Sequence, residues 1–153
     1  MGEILDRAAL AERISKLKAE GKRAVFTNGC FDILHVGHVR YLKEARSLGD
    51  LLIIGLNSDS SVGRIKPGRP IVGQAERAEM LTSLSMVDFV TLFDEETPYE
   101  LIKAVRPDVL VKGGDWKPAD IVGSDIVPDT RSLPFSEGYS TSGIISKILS
   151  TQR

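Results

Sequence analysis

The 153-residue chain contains a single cysteine and only two histidines. With Cys30 alone, no internal disulfide can form and no cysteine-rich zinc site can be built, a pattern that suits a reducing compartment. An excess of one charge is also missing. Twenty Lys+Arg stand against 21 Asp+Glu, a formal net charge of −1, so nothing global attracts nucleic acid or an anionic membrane. Affinity for phosphate must therefore come from locally placed groups. Long apolar runs are absent too, and the opening MGEILDRAAL carries an early acid, reading as neither signal peptide nor membrane span. The expected location is the cytoplasm. No internal repeat, low-complexity tract or interdomain linker is visible. A hydrophobic share of 42% and a charged share of 27% are those of a folded globular protein, and the length fits one domain.

Apolar residues at Leu5, Ala9, Ile14 and Leu17, followed by Gly21, predict a helix over Ile4–Ala19. Ala24–Thr27, Leu51–Leu56, Phe89–Phe93 and Val109–Val111 are short apolar segments of the kind buried on both faces of a parallel sheet. A fifth strand is expected within Arg131–Phe135. Helical patterns at Val39–Leu48, Gln74–Leu84 and Pro98–Val105 alternate with the strands, and Ser140–Leu149 closes the chain. The alternation implies a doubly wound α/β sheet of about five strands. The least regular stretches, Asp59–Gly73 and Gly114–Thr130, follow strand ends, where open α/β sheets bind ligands.

The most informative segment is Thr27–His38, TNGCFDILHVGH, between the first strand and the next helix. His35 and His38 share one face of the helix opening. Gly37 allows close ligand approach, and the free amides of the first turn point outward. Such a site suits an anion. Phosphoryl or nucleotidyl transfer needs it, because charge builds on oxygens around phosphorus and fixed donors stabilise that charge. The same residues also suit a simple helix cap, or a metal site of His35, His38 and Asp32 that carboxylates would have to complete. Beyond Asn57-Ser58-Asp59, Arg64, Lys66 and Arg69 form either a grip on a phosphorylated substrate or a solvated basic loop. Lys112-Gly113-Gly114-Asp115-Trp116 offers close backbone approach, with Asp115 able to hold a sugar hydroxyl or a metal, or else a tight turn. Ser140-Thr141-Ser142 opens the last helix, its hydroxyls either capping it or bonding phosphate oxygens.

In order along the chain, TNGCFDILHVGH, NSD (Asn57–Asp59), KGGDW (Lys112–Trp116) and EGYSTSGII (Glu137–Ile145) resemble the HxGH-bearing, cytidylyltransferase-like nucleotidyltransferases, from about Arg23 to the C-terminus. Within that superfamily the wording is most similar to the adenylyltransferase domain that acts on D-glycero-β-D-manno-heptose 1-phosphate. That domain makes ADP-heptose for the lipopolysaccharide core and is often fused to a sugar kinase. The resemblance implies a Rossmann-like domain over residues 23–153, preceded by an N-terminal helix over 1–22. It implies that His35 and His38 contact the triphosphate and stabilise the transition state. Thr27, Asn28, Gly29, Cys30 and Phe31 would line the nucleotide pocket, together with Gly37 and Gly113. Ser140, Thr141 and Ser142 would bind the β- and γ-phosphates, and Arg77 would support them. Lys66 would act in catalysis and bind the acceptor phosphate. Asp32, Asn57, Asp59, Lys112, Asp115 and Trp116 fall on the substrate side. Mg²⁺ would arrive with ATP, with no metal site formed by protein side chains alone. The implied partners are ATP and a phosphorylated sugar, without nucleic acid or membrane; a homodimer is compatible with this.

Ser136, Ser85 and Gly114 depart from the glycerol 3-phosphate cytidylyltransferase pattern and fit the heptose branch better. Gly123–Pro134 is short for that branch. The expected reaction is transfer of AMP from ATP to a sugar 1-phosphate, with pyrophosphate released. The rivals are a cytidylyltransferase or FMN adenylyltransferase of the same superfamily, and a nucleotide-binding sensor without turnover. The combination of His35, Lys66, Ser140 and Thr141 speaks against the sensor. A structural interaction domain leaves the four motifs unexplained.

Overall fold

The computed structural model describes residues 1–152. Its strands are β1 (Glu3–Ile4), β2 (Ala24–Gly29), β3 (Leu51–Asn57), β4 (Phe89–Phe93), β5 (Val109–Gly113) and β6 (Asp129–Leu133). They form one parallel sheet in the order β1-β4-β3-β2-β5-β6. From β2 the chain winds outward through β3 and β4, then crosses back to place β5 and β6 on the other side. This is a Rossmann-like doubly wound fold, and its reversal beside β2 opens a crevice beyond the carboxyl ends of the strands.

The helices are α1 (Arg7–Ala19), α2 (Val36–Arg46), α3 (Asp59–Ile65), α4 (Gln74–Thr82), α5 (Tyr99–Val105) and α6 (Thr141–Ser150). Alternation along the strands sorts the core into two layers. Val25, Leu52, Ile54 and Leu56 face Leu42, Ala45, Ala78 and Leu81 of α2 and α4. Phe26, Leu51 and Ile53 face Leu10 and Ile14 of α1 and Leu101, Ile102 and Val105 of α5. All seven residues of β3 are buried, which explains why the central strand reads as one unbroken apolar run.

The sheet has six strands where the sequence suggests about five. The added strand, β1, pairs Glu3 with Phe89 and Ile4 with Val90, and both of its residues are exposed, so no apolar pattern announces it. The first helix consequently begins at Arg7 rather than Ile4, where the Asp6 carboxylate accepts the Ala9 amide at 2.8 Å. Residues 1–22 are thus joined to the sheet through β1 and to its core through α1. The irregular stretch after Asn57 contains α3, capped by Ser58, which accepts from the Ser61 amide at 3.2 Å. The stretch after Gly114 holds one 3-10 turn at Pro118–Asp120. The fifth expected strand is β6, starting two residues earlier than the apolar residues suggest.

Ile14 is fully buried between α1 and the sheet, so Ile14→Ala should remove about 2–5 kcal/mol of stability through lost contacts and a cavity. Urea denaturation measures this. A loss under about 0.5 kcal/mol would mean that α1 packs as a loose appendage.

Candidate active site

Strand β2 ends at Gly29, and the chain must reverse before α2. It does so through Phe31, a non-glycine residue at φ 46°, a left-handed conformation that costs a bulky side chain about 1–3 kcal/mol. The Phe31 ring folds back over Gly29, where a Cβ would stand 2.9 Å from it. Six residues after Gly29, His35 caps α2. Its Nδ1 accepts the Gly37 amide at 3.1 Å, and its own amide donates to His38 Nδ1 at 3.2 Å. This is a capping box built from imidazoles. Each Nδ1 is held as an acceptor, so each neutral ring carries its proton on Nε2.

The ring centroids of His35 and His38 are 3.9 Å apart. Burial, then the positive charges of His35 and Lys66, push the His38 imidazole down to about 4. Burial also lowers His35. Both rings are therefore neutral Nε2–H donors at physiological pH in the free protein.

They line a cavity of about 750 Å³ at the carboxyl edge of the sheet. The β2–α2 loop contributes Asn28, Gly29, Cys30 and Phe31, with Gly37 behind them. Asn57 and Lys66 enter from the β3 side, and Lys112, Gly113 and Trp116 from the β5 side. Ser140, Thr141 and Ser142 close it from α6, where Ser140 Oγ accepts the Gly143 amide at 2.9 Å and caps the helix. Two helix N-termini thus face one cavity. Lys112 is half-buried, which lowers its ammonium, and its Nζ lies 4.7 Å from the Trp116 ring centroid.

Four residues assigned to the site from sequence lie outside the cavity lining: Thr27, Asp59, Arg77 and Asp115. Thr27 Oγ1 is 2.7 Å from the Tyr41 hydroxyl, and Asp115 is exposed. Arg77, expected to support the polyphosphate, is instead 1% exposed. Its guanidinium donates to the carbonyls of Val72, Cys30 and Asn57 at 2.8, 2.7 and 2.9 Å and to Asp59 Oδ1 at 2.8 Å. Every one of these contacts is internal, which makes Arg77 a strut between loops.

Asp32, expected on the substrate side, borders the cavity but directs its carboxylate into the protein. It accepts from Arg69 Nε at 2.9 Å and from the amides of Ile71 and Val72. Burial pushes its carboxyl upward, yet the Val72 and Ile71 amides and the Arg69 guanidinium outweigh that and hold it below the usual range. Asp32 and Arg69 therefore fasten the Lys66 loop. Arg64 bonds the Asp94 carbonyl, so of the three basic loop residues only Lys66 keeps a free head group among the described residues. No group of three or more His, Cys, Asp or Glu able to hold a metal occurs among the described residues.

Two aromatic walls of the cavity are missing from the site residues expected from sequence. Tyr139 lies stacked 6.5 Å from His35, with the Arg40 guanidinium 5.3 Å from its own ring. Phe135 packs against Gly113, where a Cβ would come within 2.7 Å of the ring. Tyr139 falls inside EGYSTSGII and Phe135 two residues before it, but neither position reveals the direction of a ring.

Because the chain has only these two histidines, their Hε1 proton signals can be followed directly. In the free protein both should titrate below 6.5, with His38 near 4, and ¹⁵N spectra at pH 7 should show the Nε2–H tautomer. A folded-state value below the unfolded one adds stability that is complete at neutral pH and declines as pH falls from about 6.5 toward 4. A His38 midpoint at or above 6.5 would contradict the geometry.

A sequence model of the cytidylyltransferase-like family matches residues 26–147. Among curated relatives, the bifunctional protein HldE of a Nitratiruptor species is 58% identical over 141 residues, 91% of this chain and 30% of that protein. That of Wolinella succinogenes is 53% identical over 146 residues, 95% of this chain and 31% of that protein. The chain spans about 30% of the length of these relatives. A solved lipopolysaccharide core biosynthesis protein from Thermoplasma volcanium superposes with a TM-score of 0.64 at 31% identity, covering 78% of this chain and 100% of that one. No helix among the described residues is long and apolar enough to cross a membrane. With its motifs on one cavity of a doubly wound sheet and a family match across most of its length, the chain belongs to the cytidylyltransferase-like family.

Proposed function

We propose that this chain is a cytoplasmic nucleotidyltransferase that moves AMP from ATP to a sugar 1-phosphate, heptose 1-phosphate being favoured, and releases pyrophosphate. The observation that carries the reading is the convergence of two helix N-termini on one cavity, α2 with His35 and His38 and α6 with Ser140, Thr141 and Ser142. Free amides, hydroxyls and Nε2–H donors together suit a triphosphate, which enters with its Mg²⁺ as substrate. The heptose branch rests on the likeness to the HldE proteins and to the lipopolysaccharide core biosynthesis protein, and on Ser85 and Ser136.

In this mechanism a phosphate oxygen of the sugar attacks the α-phosphorus in line while the bond to pyrophosphate breaks. No covalent enzyme intermediate is needed. His35 and His38 stay neutral donors, already oriented by their Nδ1 bonds, and meet the charge that develops on the phosphoryl oxygens. Lys66 supplies a mobile positive charge to the acceptor phosphate.

His38→Ala should lower kcat by about 10² or more, the cost of losing one positioned donor, with nucleotide affinity changed much less. Wild-type turnover in the folded variant would remove His38 from catalysis. Lys66→Ala should raise the KM for sugar phosphate and lower turnover, leaving ATP affinity within about a few-fold. Separate titration of the two substrates decides this: selective loss of ATP binding moves Lys66 to the triphosphate, and no change returns it to the surface.

A further inference from the structure

The strand order gives the cavity two ends. Past β2, β5 and β6 lie the imidazoles, both helix N-termini and the aromatic walls. Past β3 and β4 lie Asn57, Lys66, Arg69, Glu96 and Thr97. Glu96 follows β4 by three residues and stands just before the short α5.

Among the described residues only two carboxylates line the cavity, Asp32 and Glu96. Asp32 is engaged by Arg69 and two amides, and Glu95, next to Glu96, is paired with Arg7 at 2.8 Å. Glu96 is exposed, lines the cavity and, among the described residues, has no hydrogen-bond or ion-pair partner. A free carboxylate repels a polyphosphate, so this end suits a ligand that brings donors rather than more negative charge. A carboxylate only accepts hydrogen bonds, and its two oxygens can take two neighbouring hydroxyls.

A cationic head group would also satisfy Glu96. Two features disfavour it. Lys66 and Arg69 share this end, and Glu96, Thr97 and Pro98 provide none of the aromatic faces that quaternary ammonium groups prefer. The acceptor that fits carries a phosphate toward Lys66 and uncharged hydroxyls toward Glu96 and Thr97.

We propose that Glu96 is a specificity-determining residue that accepts hydrogen bonds from adjacent hydroxyls of a polyhydroxylated acceptor phosphate. The assignment rests on the transfer reading given above for the identity of the reaction. It can be tested by binding and by turnover. D-glycero-β-D-manno-heptose 1-phosphate and its monodeoxy analogues are titrated calorimetrically into wild type, Glu96→Gln and Glu96→Ala, each with a non-hydrolysable ATP analogue bound. Pyrophosphate release is measured in parallel, with phosphoethanolamine and phosphocholine as competing acceptors.

Glu96→Ala should weaken sugar phosphate about tenfold or more, as expected for a hydrogen bond to a charged group, and leave the affinity for the ATP analogue unchanged. At least one monodeoxy analogue should bind wild type more weakly but be indifferent to the substitution. Equal sugar phosphate affinity in wild type and both folded variants overturns the role of Glu96, whatever the turnover. Preferential use of phosphoethanolamine or phosphocholine, abolished by Glu96→Gln, also overturns it by making Glu96 an ammonium site. Glu96-dependent binding of sugar phosphate without pyrophosphate release from wild type would instead reject the transfer reading and retain the subsite.

Discussion

The site depends on one buried cation. Arg77 collects three carbonyls and a carboxylate from the β2–α2 loop, the end of β3 with the start of α3, and the segment before α4. The Cys30 and Val72 carbonyls lie outside any helix or strand and Asn57 ends β3, and an uncompensated guanidinium in the interior would cost several kcal/mol. Each side of the arrangement therefore requires the other. The planar fork is essential, since an ammonium could not reach four acceptors spread around a plane. Asp32 is the counterpart of opposite polarity, gathering amides and a guanidinium from the Lys66 loop as Arg77 gathers carbonyls. Between them the two residues fasten three irregular segments whose own sequences specify little regular structure.

That arrangement explains which parts can be read from residues alone. The central strands, buried on both faces, announce themselves as apolar runs, and α2 and α6 are marked by their caps and glycines. Strand β1 is invisible because two exposed residues gain their pairing only from β4, more than 80 residues away by the Glu3–Phe89 register. Helix α3, DSSVGRI, contains glycine and polar hydroxyl residues and is stabilised by Ser58 and by contact with β3. The charges of Arg77 and Asp32 suit phosphate and hydroxyl groups, and on that ground alone both point toward ligands. Their direction is set by partners as far as 47 positions away, which spacing along the chain does not encode. The His pair, Lys66 and the Ser140–Ser142 opening are legible because strand-end loops in this topology have one edge on which to converge.

The imidazole cap illustrates how local folding can prepare chemistry. A serine or aspartate would cap α2 equally well, but would leave no N–H donor of fixed direction. With a histidine the cap consumes Nδ1 and leaves Nε2–H oriented by the helix itself. Burial, joined at His38 by the neighbouring ring and Lys66, then keeps the pair uncharged, so the donors exist in the free protein. Reorganisation on binding is correspondingly small.

Helix α6 stands in a different relation to the domain. None of its residues is fully buried, Ile144 and Ile145 being half-buried, and among the described residues its one side-chain hydrogen bond to the body is Thr141 Oγ1 on the Ile33 carbonyl at 3.2 Å. It adds less to the core than the other long helices, whereas the cavity loses three hydroxyl-bearing residues and a helix N-terminus without it. The two helix openings on the cavity are therefore held in different ways. At Gly37 a Cβ would stand 2.8 Å from the His35 ring, so a side chain there disturbs the α2 cap itself. A change at Ser140, Thr141 or Ser142 reaches the cavity wall directly and leaves the sheet and its core untouched.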